Sequence, residues 1–264
     1  MTTMNVRRTV GVRDIPLVIL APRRLFARVE DVSAWGWPLA ILLTFVTIIG
    51  YATVQTGLID REVDRGVRQR IAVIDETQRD VVERSALREL YEREYKQGQF
   101  FILLKRLQVV AAEPATALAA ALLVAAIFYG MVALSGRKPE WHTLLTICVY
   151  AGFLDALRLL TQLILMLQYE TLDVYTSLAP LTRFCIDMQT AEPARVIALW
   201  IGLDALDPFR MWYWGIVLIG LATTEQLRGW RAWLTAVICW LIGACARTGI
   251  LVAMVASSSA GSNG

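Results

Sequence analysis

The sequence predicts an all-α fold, a polytopic transmembrane helical bundle of five spans with a long amphipathic helical segment between the first and second. Three observations predict it. The chain of 264 residues is 56% hydrophobic with a mean hydropathy of +0.51, above the ~45–50% of a soluble domain. The excess gathers in blocks of about 20 residues, the length that crosses a hydrocarbon layer as a helix. Tryptophans mark the ends of those blocks: Trp35, Trp37, Trp141, Trp212, Trp214, Trp230 and Trp233, as amphipathic rings prefer the headgroup level.

The expected spans cover 37–56, 114–134, 144–167, 208–224 and 232–256. Pro38 suits the first turn of span one, where no backbone donor is needed. Pro114 opens the alanine-rich second span, and Asp207-Pro208 reads as a cap followed by proline at the head of the fourth. Residues 1–36 form a cytoplasmic or interfacial leader, and Arg7-Arg8 precedes too short an apolar run for a twin-arginine signal. The small polar tail 257–264 reads as disordered.

Between spans one and two, the insert 58–99 carries nearly balanced charge and a helical stripe of Val63, Val67, Ile71, Ile74 and Val81. Such a stripe must pack on something. It folds as a hairpin on its own molecule, or it offers that face to a partner. Phe100–Ala112 and Arg195–Leu206 are shorter amphipathic pieces suited to the membrane interface.

Arg137-Lys138, Arg228 and Arg231 place the amino terminus in the cytoplasm and the carboxy terminus outside, in a cell (inner) membrane. Residues 58–113 hold eleven Lys and Arg. Acids match them, and long segments translocate largely regardless of charge.

Ionisable residues inside spans bear most directly on function, because each costs about 2.5–3.5 kcal/mol at mid-membrane on insertion scales. Asp155 and Arg158 stand in span three with Gln162 a turn further, and Arg247 stands in span five. Asp155 bridging Arg158 and Arg247 would clamp the two spans; a polar path for transport through the same residues is the alternative. His142 is the one histidine and has the surroundings of an interfacial imidazole rather than a ligand. Asp204 and Asp207 are close in sequence, but the second is a helix cap. Cys148, Cys185, Cys239 and Cys245 form no Cys-x-x-Cys pair. Nucleotide, phosphate-loop, nucleophile-elbow and zinc-protease motifs are absent. No cofactor, no metal site, no nucleic acid and no enzymatic reaction are expected; membrane lipids and another membrane protein are.

The segment Leu17–Phe45, with Pro22 and Phe26 ahead of the first span, resembles the opening of the Yip family of membrane proteins. Ser135–Leu167 resembles that family's loop into span three. Leu206–Trp233 is similar to its Leu-Asp-x-Phe-x-x-Trp motif, with Asp207, Phe209 and Trp212 in register. The family's span-three proline and its Asp-Leu-Tyr-Gly-Pro motif are missing. The resemblance therefore implies a bacterial member rather than Rab-directed trafficking, with a non-catalytic scaffold or accessory role, such as a partner of an ABC exporter.

Overall fold

A computed structural model describes residues 12–29, 35–78, 84–172, 174–182, 193–204, 206–227, 229–243 and 245. Every regular element among them is helical. After a 3₁₀ turn at Val12–Asp14 come α1 (Ile15–Leu20) and α2 (Pro22–Phe26). Then follow α3 (Gly36–Gln55), α4 (Leu58–Gln78), α5 (Arg84–Leu107), a π-helical turn (Gln108–Ala112), α6 (Glu113–Leu134) and α7 (Trp141–Tyr169). Beyond a second 3₁₀ turn, Ala179–Leu181, lie α8 (Pro193–Asp204), α9 (Pro208–Thr223) and α10 (Trp230–Gly243).

Three helices are long and apolar enough to cross a membrane: Gly36–Gln55, the unbroken Arg84–Leu134 and Trp141–Tyr169. Pro38 sits in the first turn of α3, where helix N–H groups have no acceptor in any case. At the other end, Gly57 takes φ +67°, a left-handed conformation that glycine adopts without steric cost. The Thr56 hydroxyl then accepts the Leu58 N–H at 3.2 Å, so one tight turn passes the chain into α4.

The sequence predicts a span two that starts near Pro114, separate from the insert 58–99. The helix runs straight through Pro114 instead: α5, the π turn and α6 form one 51-residue rod, roughly 76 Å at 1.5 Å per residue. Proline inside a helix removes a donor and crowds the preceding turn. The π turn lies immediately upstream, with the Glu113 N–H bonding five residues back to the Gln108 carbonyl, and a widened turn of this kind absorbs such a disturbance.

Helix α9 has 16 residues and α10 is shorter than the three long helices. The expected fifth span to residue 256 extends past the described residues, and the tail 257–264 and residues 1–11 and 30–34 of the leader lie outside them.

The chain forms two compact units: residues 1–42, 119–158 and 175–264 in one, and 43–118 with 159–174 in the other. The first is built on a core of Val18, Leu25, Phe26, Phe128, Tyr150 and Ile216. Helix α7 buries every residue from Thr143 to Ala151 there, which explains its near-continuous apolar sequence. Gly220 permits close approach of α9 to α7, since a Cβ there would lie 2.7 Å from Ile147 Cγ2.

The second unit contains the α4–α5 hairpin. Val67 is buried against Gly98, where a Cβ would come within 2.6 Å of a Val67 methyl. Ion pairs Arg70–Glu94 at 2.8 Å and Arg106–Asp60 at 2.5 Å, and a Tyr91-to-Asp75 hydrogen bond at 2.9 Å, flank that contact. Exposed pairs of this kind contribute about 0–1 kcal/mol each, so the interlocked apolar seam dominates the pairing.

Candidate functional site

Four groups of residues carry the functional argument: the intramembrane charges, the motif around Asp207, the hairpin stripe, and a cavity bordered by Glu113. On α7, Arg158 Nε stands 3.7 Å from Asp155 Oδ1. The i, i+3 spacing puts both on one helix face. That is an ion pair but too long for a hydrogen bond, and Arg158 Nε has no hydrogen-bond partner among the described residues. Arg247, the third member of the expected clamp, lies outside the described residues. Gln162 belongs to the other compact unit, where it lines the cavity described below.

Asp207 is 2% exposed and serves two segments at once. One carboxylate oxygen accepts the Phe209 N–H at 2.8 Å, capping α9, and the other accepts the Thr176 hydroxyl at 2.8 Å. Proline at 208 supplies the fixed φ that suits the first helical position. Trp212 stays half-exposed. Against α9 packs α2, whose buried Phe26 shares one core with Ile216 and Val217 of α9, one turn beyond the motif. Arg210 pairs with Asp204 at 3.2 Å, which gives Asp204 a structural partner.

On the hairpin, Val67 is fully packed, Val63, Ile71 and Ile74 are partly covered, and Val81 lies outside the described residues. His142 Nδ1 accepts the Trp35 indole N–H at 3.2 Å. Nearby, the Glu140 backbone N–H donates to Gln226 Oε1 at 3.3 Å, and the Arg137 guanidinium donates to the Glu225 carbonyl. The loop between α6 and α7 is thereby fastened to the loop after α9. Among the described residues no three His, Cys, Asp or Glu gather to hold a metal.

Sequence reading missed Glu113, because Pro114 made it look like a residue at the water boundary. With Thr53, Val109, Leu159, Gln162 and Met166 it lines a cavity of about 140 Å³ in the second unit. The legible sign was its isolation: between Arg106 and Arg137 it is the sole Asp, Glu, Lys or Arg.

Three long apolar helices with few charges in them, beside one heavily charged hairpin, define an integral membrane protein of the all-helical class. Within that class, the Yip1 domain family matches residues 17–249, most of the chain. The protein belongs to that family. Neither a curated protein nor a solved structure matches it.

Proposed function

We propose that this protein is a non-catalytic scaffold or accessory subunit of the cell (inner) membrane that binds another membrane protein, an ABC exporter being the partner class we favour. One observation carries the reading: the charged α4–α5 hairpin continues without a break into a membrane helix, as the 51-residue rod Arg84–Leu134. A partner held by the hairpin is then coupled mechanically to the bilayer. Membership of the Yip1 domain family supports a membrane accessory role.

In this reading α9 and the chain from Trp230 onward complete five spans. The basic residues Arg137, Lys138, Arg228 and Arg231 face the cytoplasm together with the amino terminus, and the carboxy terminus lies outside. Affinity purification after mild detergent extraction is expected to recover an exporter subunit in stoichiometric amount. Recovery of the chain alone, with an ion flux in liposomes that Asp155→Asn abolishes, would overturn the scaffold in favour of a transporter.

A further inference from the structure

The cavity beside Glu113 is walled by aliphatic side chains, among them Val46, Leu163 and Met166. Only a few of its residues bring polar groups. The Thr53 hydroxyl is already committed to the Ile49 carbonyl at 2.9 Å. Neither the Glu113 carboxylate nor the Gln162 side chain makes a hydrogen bond or ion pair with another described residue.

Val109 adds a backbone acceptor. In the π register the N–H that would meet its carbonyl belongs to residue 114, and Pro114 has none. Gly50 brings α3 against this point, since a Cβ there would lie 2.4 Å from the Val109 oxygen. The lining residues thus carry a carboxylate, an amide oxygen and a backbone carbonyl that α3 covers at Gly50, set among methyl and methylene groups.

An unpaired carboxylate among apolar side chains is costly and is stabilised by a cation beside it. Anions are disfavoured by Glu113. A divalent metal would find a single carboxylate, too few hard ligands for calcium or magnesium. A primary ammonium has three N–H donors, which the two carboxylate oxygens of Glu113 and the amide oxygen of Gln162 can accept. The volume is close to that of an engineered cavity of ~150 Å³ that accepts benzene, room for an ammonium and its first few carbons.

We propose that this cavity binds a primary alkylammonium group, carried by an amine-headed lipid or by a free alkylamine, with Glu113 as counter-ion and the aliphatic walls around the adjoining methylenes. Binding raises the melting temperature of the folded form by mass action, which gives the readout. Octylamine is titrated against the full-length protein in detergent, with octanol as the neutral control and octyl sulfate as the anionic one. Octylamine is expected to stabilise the wild type at concentrations at least fivefold below those of either control, and Glu113→Gln removes that preference. Equal effects of amine and alcohol, or an amine response unchanged in Glu113→Gln, would overturn the proposal. Should Glu113→Gln fail to fold, Met166→Trp fills the cavity and carries the same comparison. Native mass spectrometry from bilayer discs of equal phosphatidylethanolamine and phosphatidylglycerol separates the sources. Retention of phosphatidylethanolamine by the wild type and not by the variant identifies a lipid ligand, whereas an octylamine response without lipid retention identifies a free amine.

Discussion

Asp207 illustrates how one residue holds two elements. Its carboxylate caps α9 through Phe209 N–H and receives the Thr176 hydroxyl, so both oxygens are used and the group can be buried. Losing an N-cap costs about 1 kcal/mol, and a hydrogen bond about as much again. Asp207→Ala is therefore expected to lower unfolding stability by roughly 2 kcal/mol. Asp207→Asn keeps an acceptor for the helix N–H and loses less. Thermal melts in detergent decide it: an alanine variant as stable as the asparagine variant would remove the double role. The Asp-Pro pair made the cap readable in sequence, whereas Thr176 was invisible there, 31 residues away with no pattern linking the two. Glu113 was obscured for a related reason. Its neighbour Pro114 reads as the beginning of a helix because local rules allow proline there, and only the π turn at Gln108–Ala112 reveals that the helix had already begun.

At the level of elements, periodicity told that 58–99 is helical with one apolar face, and left open what covers it. No residue in α4 alone could settle that, because burial depends on a surface supplied by another segment. The deciding position is Gly98 on α5, which admits Val67 where any side chain would collide. A single glycine in a charged helix carries little weight in a sequence, yet here it sets the register of the hairpin. The pairing can be trapped covalently. A Cβ built at Gly98 lies 3.9 Å from Val67 Cβ, inside the ~3.5–4.5 Å range of disulfides. The double variant Val67→Cys, Gly98→Cys is expected to form an intramolecular disulfide under mild oxidation, seen as a reducible mobility shift and as loss of two titratable thiols. Either single variant supplies the background from the native cysteines. Thiols that stay free in the double variant would show that α4 and α5 do not pair in this register. Two ion pairs and the Tyr91–Asp75 bond are too exposed to hold the hairpin without that seam.

For the whole molecule, the apolar blocks predicted a helical membrane protein, and the physical basis is firm, since only structures that satisfy their own backbone survive in hydrocarbon. The number of crossings was harder to read. Hydropathy weighs composition, but a crossing also needs length: α9 has 16 residues, about 24 Å at 1.5 Å per residue, short of a ~30 Å core unless the bilayer thins around it. By contrast the rod Arg84–Leu134 exceeds that thickness more than twofold, so one end must project into water with its charges. Lys105 and Arg106 are the last basic residues before the apolar stretch and suit the headgroup level, to which long basic side chains extend. From Leu107 to Ser135 Glu113 is the single charge, and that stretch is the part of the rod apolar enough to cross. The ends of this one helix must then face opposite compartments. Ser85→Cys and Ser135→Cys, introduced separately into a background with the native cysteines replaced, are expected to react with an impermeant maleimide from opposite sides of sealed vesicles. Labelling of both from the same side would mean that the rod lies along the membrane instead of through it, and the coupling of hairpin to bilayer would be lost with it.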